Sequence, residues 1–555
     1  MKPREGDGLY FLPLGGAGEI GMNLNLIGYG PEHRPRWLMI DCGVTFGDES
    51  VPGVDLVMAD PEFIADRKKD LLGLVLTHAH EDHIGAVPFL WPRLRCPVYA
   101  TPFTGYLVME KLKEVGLQGQ VPLHIIPLGG TLELGPFAIE LVTLTHSIPE
   151  PNALAVRTPL GTIVHTGDWK IDPDPLVGEV TDEEGLRKLG DEGVLAMICD
   201  STNVFSPGRS GSEATVRESL TELLGGLKGR IAVTAFASNV ARLESVAYAA
   251  AHHGRHVVLV GRSMQRIVAA AKASGYLTDT ADFIDERDAG WLPPETVVYL
   301  CTGSQGEPRA ALSRIASGTH PNVVLESGDT VIFSSRIIPG NEREIFAVQA
   351  QLAARGIDVL TEQDHLVHVS GHPCRDELAD MYRWVRPKIA VPVHGELRHL
   401  VEHKAFAESL QVPQALFAPN GSMMRLAPGP ASVIDEVPHG RLYRDGLNLF
   451  PDGYAALRER RRLATAGLVT AVLVLNKKGR LAADPAISLH GVAVPDEDDM
   501  LDTLFDIVDD VIEREIGREW ANDDFIAEMT RRALRKAVAK AVGIKPEAKV
   551  QIIRA

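Results

Sequence analysis

The sequence predicts a sheet-dominated α/β protein: a first domain split by an inserted doubly wound module, then a small terminal α/β domain. Three observations carry that expectation. From the start to about residue 205, short apolar runs end in Gly, Pro, Asp or His, as in "RWLMIDCG", "LLGLVLTH", "FAIELVTLTH", "GTIVHTGD" and "VLAMICDS". Runs of that length, bounded by turn formers, read as strands with polar groups at their ends. From about 212 to 365 helix and strand patterns alternate regularly, and sheet-rich character then returns in "HLVHVSGH" and "KIAVPVHGE". The boundaries follow as 1–208 and 366–445 for the split domain, 209–365 for the insertion, 446–462 for a linker and 463–555 for the terminal domain.

Within the first part, helical patterns intervene at 102–115 and 183–189. In the insertion, "SEATVRESLTELLGGLKG" reads as a helix capped by Ser212 and closed by glycines. The strand "RIAVTAF", the helix "NVARLESVAYAAAHHG" and the strand "HVVLVG" follow, the order of a parallel doubly wound sheet. The segment around 440–460 is loop-like and holds "RERRR" (458–462), read as a charged linker face. "LATAGLVTAVLVL" (463–475) is too short to span a bilayer and runs into "NKKG", so it reads as a buried strand and its turn. Two charged helical stretches, "DEDDMLDTLFDIVDDVIEREI" and "DDFIAEMTRRALRKAVAKAV", and a final "AKVQIIRA" complete the terminal domain.

Length and composition exclude several classes. A chain of 555 residues exceeds one hydrophobic core, and 45% hydrophobic with 23% charged residues is ordinary for a globular protein. The net charge of -18 counts against a protein that simply coats nucleic acid, though basic residues and metal ions gathered in one groove still admit a polyanion. Five scattered cysteines, none in a CxxC pair, point to reduced thiols and a cytoplasmic protein. The N-terminus shows no apolar signal region, and no stretch is long enough for a membrane span. "GGAGEIG" has the GxGxxG register with Asp41 about twenty residues on, but a short strand-like run follows where a dinucleotide site needs a long helix. A glycine turn between strands is the preferred reading.

The chemistry concentrates in "LTHAHEDHIGAVP", where His78, His80, Asp82 and His83 crowd behind an apolar strand. Imidazole and carboxylate in the pattern HxHxDH are ligands for Zn²⁺ or Mn²⁺. His146, Asp168 and His394 each repeat the grammar of apolar strand, ligand, then Gly or Pro turn. His78, His80 and His146 are assigned to a first metal, Asp82, His83 and His394 to a second, and Asp168 to both. His165 is read as a packing or supporting residue, Glu81 and Asp172 as local turn residues.

These residues resemble the metallo-β-lactamase superfamily, and the insertion with its flanking motifs is similar to the β-CASP branch of nucleases. "GGAGEIGMN", "FASNVAR", "CTGSQGEP", "IPGNE" and "HVSGHP" together resemble the bacterial ribonuclease J family over the whole chain. The resemblance implies an αββα sandwich with an inserted β-CASP domain and a C-terminal α/β domain. It also implies two divalent ions per subunit, Zn²⁺ before Mn²⁺, that hydrolyse RNA phosphodiesters. Its motifs A, B and C fall on Asp200 in "CDSTN", His368 in "HVSGH" and His394 in "VPVHGE". His368 is the candidate general acid, Asp200 aligns the ligands, and Asp82 belongs with the catalytic set.

His368, Val369, Ser370, Gly371 and His372, with Ala237, Ser238 and Asn239, are expected to bind the RNA and its terminal 5′-monophosphate. Trimming in the 5′-to-3′ direction and internal cuts would follow. At Ala241, where an aromatic side chain or His is expected, the chain departs from the pattern. Self-association into a dimer or tetramer through the terminal domain, partners in an RNA-degradation complex and a cytoplasmic location are implied as well. A β-CASP DNA-processing nuclease, a small-molecule hydrolase and a non-catalytic RNA-binding scaffold are the competing readings. The first is disfavoured by His394 where that branch has Val, the second by the unexplained insertion, the third by a full ligand set.

Overall fold

The computed structural model describes residues 4–515 and 522–555. It forms two compact units, one running up to Thr45 and then over Met58–Arg441, the other comprising Phe46–Val57 and the chain from Leu442 onward. The larger unit holds two large mixed sheets. One contains, among others, the strands Asp7–Gly15, Leu24–Pro31, Arg36–Ile40 and Leu71–Val75; the other contains Phe137–Thr143, Asn152–Thr158, Gly161–His165, Val194–Asp200 and Ile389–Val393.

Period-2 alternation decides what each face of the second sheet does. In Val194–Asp200, Ala196 and Ile198 pack into a core shared with Phe11, Ile27, Leu38 and Val75 of the first sheet. Met197 and Cys199 point the other way, onto the helices that carry Leu186, Leu189, Leu378, Met381 and Val385. Asn152–Thr158 divides likewise, with Leu154 and Val156 between the sheets and Ala153 and Ala155 under the helices. Helices Val87–Leu94 and Pro102–Glu114, burying Leu90, Trp91, Phe103, Leu107 and Val108, belong to the first sheet's side. The layers are the expected αββα sandwich.

The insertion carries a six-stranded, all-parallel sheet in the order Ile284–Asp285, His256–Val260, Val297–Cys301, Ile231–Thr234, Thr330–Phe333, Asp358–Leu360. Its continuous apolar strands are what a sheet covered on both faces requires. The seam with the split domain is polar and buried. Arg242, fully buried, bonds Glu213 at 3.0 Å, the Ser334 carbonyl at 2.9 Å and the Val367 carbonyl at 2.7 Å, tying the insertion's first helix, a strand end and the return segment together.

In the smaller unit, Leu468–Leu475 pairs antiparallel with Ala486–His490 and parallel with Glu547–Arg554. Val469, Ala471, Leu473 and Leu475 face helices Glu497–Glu515 and Asp523–Val542 through Leu504, Val508, Leu534 and Val538. The end of the first charged helical stretch, at Ile516, lies outside the described residues. The segment expected as a linker contains regular elements, the strand Asn448–Pro451 and the helix Ala455–Ala466. "RERRR" lies on that helix, where Arg460 bonds Asp445 at 2.6 Å and Glu459 pairs with Lys549 at 2.7 Å, so charge masks a packed helix. Among the described residues no helix is long and apolar enough to cross a membrane.

Removing Arg242 leaves the Glu213 carboxylate buried without its cation, which costs about 3–5 kcal/mol. Arg242→Ala is therefore expected to lower the thermal midpoint of the full-length protein, read by scanning calorimetry, while Arg287→Ala, in an exposed pair with Asp285, leaves it unchanged.

Candidate metal centre

The candidate ligands come from strand ends in both sheets. Leu71–Val75 leads into His78, His80 and the one-turn helix Glu81–Ile84 that bears Asp82 and His83. Phe137–Thr143 leads to His146, Gly161–His165 to Asp168, and Ile389–Val393 to His394. Two glycine-rich turns clamp these loops. The Gly16 carbonyl accepts the His394 N–H at 2.6 Å, and Asn23 donates its N–H to the Asp82 carbonyl at 2.9 Å. A Cβ at Gly43 would collide with that Asp82 carbonyl, so only glycine fits there. "GGAGEIGMN" thus braces the centre.

The expected ligands form two clusters that share one carboxylate, Asp168, which also lies in a third group with Asp200, His372 and His394. In the first, His80 Nδ1 lies 3.1 Å from His78 Nε2 and 3.0 Å from His146 Nε2, with Asp168 Oδ2 3.9 and 4.0 Å from the latter two. In the second, Asp168 Oδ2 lies 3.1 Å from His83 Nε2 and 3.5 Å from His394 Nε2, while Asp82 Oδ2 lies 3.5 and 3.1 Å from the same nitrogens.

The outer nitrogen of every ring is already engaged. His83 Nδ1 donates to Asp41 at 2.7 Å, and His78 Nδ1 donates to Thr77 Oγ1 at 3.0 Å. His394 Nδ1 donates to Thr202 Oγ1 at 2.8 Å, His80 Nε2 donates to Ser238 Oγ at 3.1 Å, and His146 Nδ1 donates to the Gly371 carbonyl. In the neutral imidazole this leaves the inner nitrogen a lone pair, so the first cluster is a ring of electron donors facing one another, while in the second the inner nitrogens face two carboxylates and Asn23 Nδ2 approaches His83 Nε2 at 3.1 Å.

Electrostatics agree with that reading. Burial, with neighbouring imidazoles, holds His78 and His146 well below the usual histidine range, and burial brings His80 to about 4. Burial raises Asp82 and Asp168, but His83 and His394 outweigh it and keep both carboxylates ionised. Burial lowers His83 and His394, but Asp168 and its neighbours reverse this, so the second cluster attracts positive charge. The donor set, buried and poor in hydrogens, fits divalent cations.

Sequence comparison assigns the chain. Residues 32–223 match the metallo-beta-lactamase superfamily, 228–352 the "Ribonuclease J, beta-CASP domain", 356–412 the "Zn-dependent metallo-hydrolase RNA specificity domain" and 455–555 the "Ribonuclease J C-terminal domain". Ribonuclease J of Sinorhizobium meliloti is 47% identical over 98% of this chain and 97% of its own length. That of Mycolicibacterium smegmatis is 43% identical over 86% and 85%, and that of Thermus thermophilus 38% over 84% and 83%. The chain belongs to the ribonuclease J family.

It is accordingly a metal-dependent ribonuclease of β-CASP architecture. A crystal structure titled as a protein of unknown function from Enterococcus faecalis V583 superposes with TM-score 0.51 at 15% identity, covering 75% of this chain and 100% of that one, which supports the fold alone.

Within this ribonuclease J fold the two histidines of "HVSGH" have different surroundings. His372 Nδ1 donates to Asp200 Oδ2 at 2.8 Å, and the ring stacks against His394 with centroids 5.5 Å apart. His368, expected as the general acid, is outside the donor clusters: its Nδ1 is buried without a hydrogen-bond partner. Burial and the positive charges of Arg242, Lys170 and Arg336 hold His368 well below the usual range, which disfavours its imidazolium form. His372 is the opposite case, since burial lowers it but Asp200 overrides this and raises it.

The remaining expected contacts divide similarly. Ser238 reaches the centre, and Ala237 beside it is half-buried. Asn239 is engaged by the fold, its Oδ1 accepting the Arg242 N–H at 2.9 Å and its Nδ2 donating to Glu213 at 3.2 Å. Ser370 Oγ accepts from Asn203 at 2.7 Å and from the His372 N–H at 3.2 Å, which leaves its own hydrogen available. Gly371 lies so close to His146 and Ser147 that a Cβ would clash, and Val369 is buried against Gly211. His165 Nδ1 accepts the Gly167 N–H at 3.1 Å and supports the Asp168 turn.

Asp41, Thr77, Thr202 and Asn203 were not singled out from sequence as parts of the centre. The signal existed for Asp41: "RWLMIDCG" has the same strand-end grammar as the ligands. Its carboxylate accepts from Thr77 N–H and Thr77 Oγ1, both at 2.8 Å, as well as from His83. Asp41→Asn is expected to weaken divalent-ion binding about 10- to 100-fold, read by competition with a chromophoric chelator. Unchanged affinity would show that His83 needs no such partner.

Proposed function

We propose that this ribonuclease degrades RNA processively from 5′-monophosphate ends in the 5′-to-3′ direction and also cuts internally, at a centre of two divalent ions shared through Asp168. The observation that carries the reading is the pair of lone-pair clusters around Asp168, with the protonatable His372 at their edge. His78, His80 and His146 would hold one ion, and Asp82, His83 and His394 the other. The ions, when bound, polarise the phosphoryl group and bring the pKa of water from about 15.7 towards about 7. Five imidazoles against two carboxylates favour Zn²⁺ over Mn²⁺.

The chain's own residues supply the rest. Asp200 holds the His372 ring by Nδ1, so Nε2 carries the proton that the departing 3′-oxygen requires. His372 therefore replaces His368 as the proposed general acid, and its side chain, 23% exposed, is open to substrate. Ser370 Oγ–H, the Gly371 backbone, Ala237 and Ser238 at the start of helix Val240–His252 are the proposed contacts for the terminal phosphate. Self-association as dimer or tetramer is proposed through the smaller unit, where Ile553, 47% exposed, shares a sheet face with half-buried Val474. Five free, buried cysteines favour the reducing cytoplasm, and the family resemblance favours RNA-degradation partners.

The deciding assay compares 5′-monophosphate and 5′-triphosphate RNA with wild type, His80→Ala, His372→Gln and His368→Gln. Monophosphate RNA is expected to be degraded faster, with His80→Ala inactive and His372→Gln slowed about 10²- to 10⁴-fold in kcat. His368→Gln should stay within a few-fold of wild type. A preference for triphosphate ends would overturn the pocket, and equal rates for wild type and His80→Ala would overturn the centre. Chelation should abolish both cleavage modes and Zn²⁺ should restore them.

The pH profile tests the acid. Asp200 raises His372, so replacing the carboxylate lowers that pKa, and the alkaline limb of kcat/KM in Asp200→Asn should move to lower pH. A limb that stays fixed would assign the proton to another group.

A further inference from the structure

We infer that the inserted domain completes only one of the two metal sites, so that the ion held by His78, His80 and His146 is thermodynamically linked to the seating of that domain. The inference rests on the metal-centre reading above. Of the five imidazoles, His80 has its outer nitrogen held by the insertion, through Ser238 Oγ at 3.1 Å and across 158 positions of sequence. The outer nitrogens of His83, His394 and His78 are held by Asp41, Thr202 and Thr77, and that of His146 by the Gly371 carbonyl. These partners all belong to the split domain's own loops and return segment. The second site is therefore braced without the insertion, and the first is not.

Ser238 is a rigid part of the insertion. It follows the strand Ile231–Thr234, its carbonyl accepts the Val240 N–H at 2.9 Å, and the next residue, Asn239, is pinned by Glu213. It moves with the domain.

Beside the two connecting segments the insertion is tied to the split domain by the buried Arg242–Val367 and Glu213–Asp172 bonds, which can serve as a pivot, and away from them it is seated by smaller contacts. Tyr276 donates to the buried Glu150 carboxylate at 3.3 Å, and Arg266 pairs with exposed Glu114. If these yield and the domain lifts, His80 loses its acceptor and is free to turn or to change tautomer, and the first site loses its geometry. By reciprocity, an ion at the first site favours the seated insertion by the same factor, whereas one at the second site does not. Ser238 is in this respect a positioning residue for His80, beside its proposed contact with substrate.

The test uses the full-length protein with Zn²⁺ alone. Chelator competition on wild type, Ser238→Ala and Ser238→Thr counts the ions and their affinities, and hydrogen exchange follows residues 236–241 as Zn²⁺ is added to the metal-free protein. Ser238→Ala is expected to weaken one ion about 10- to 100-fold and leave the other unchanged. Zn²⁺ should slow exchange over 236–241 in wild type but not in Ser238→Ala, and Ser238→Thr, which keeps the hydroxyl, should restore both effects. Two ions held by Ser238→Ala as tightly as by wild type would overturn the link while leaving the centre standing. Equal weakening of both ions would overturn the asymmetry. A wild type that takes up fewer than two ions would overturn the metal-centre reading itself, and the link with it.

Discussion

Donor atoms that face one another with no hydrogen between them are the constraint on which the rest of the structure depends. His80 Nδ1 sits 3.1 Å from His78 Nε2 and 3.0 Å from His146 Nε2. Each neutral pair is repulsive on its own. The arrangement is stable when positive charge occupies the space between, and the hydrogens that could have relieved it are committed outward to Asp41, Thr77, Thr202, Ser238 and Gly371. Outer hydrogen bonds thus decide tautomers, and tautomers decide where cations go.

Holding such a set against its own repulsion demands an unusual backbone. Asp41 and His394 both adopt left-handed φ values, 61° and 52°, which side-chain-bearing residues rarely do. Both are fixed by neighbours: Asp41 N–H donates to the Val75 carbonyl and His394 N–H to the Gly16 carbonyl. The short bridge of Ala17–Gly18 to Gly395–Glu396 completes the clamp. Local strain is tolerated because strands from opposite ends of the sequence converge there, which is why the domain is split and still closes on one site.

Much of this was legible in the sequence, for a physical reason. A buried apolar strand that ends in His or Asp before a Gly or Pro turn can hide its polar group only by pairing it, so His78, His146, Asp168 and His394 stood out. The insertion was legible because parallel strands buried on both faces read as continuous apolar runs. What the sequence left open lacked periodicity. His368 and His372 lie in a segment with no regular structure, so their spacing said nothing about which ring faces Asp200 and which lies among Arg242, Lys170 and Arg336. The helix Ala455–Ala466 was hidden by the charge of "RERRR", within which Arg460 pairs with Asp445 of the same unit. The GxGxxG register of "GGAGEIG" upstream gives Asp41 the look of a nucleotide-site acid and masks its place beside His83.

Counting hydrogens also argues against a third ion beside the two proposed. Asp168, Asp200, His372 and His394 lie close enough together to suggest a third site. Asp200, however, already accepts from Thr202 N–H at 2.8 Å, from Thr202 Oγ1 at 2.7 Å and from His372 Nδ1 at 2.8 Å. Three of its roughly four lone-pair positions are filled, and the atoms that His372 and His394 turn towards it carry hydrogens. That group is a hydrogen-bond network. It leaves His372 Nε2 outside the ligand candidates at the partly exposed edge of the centre, and that is the atom the proposed protonation of the leaving oxygen would use.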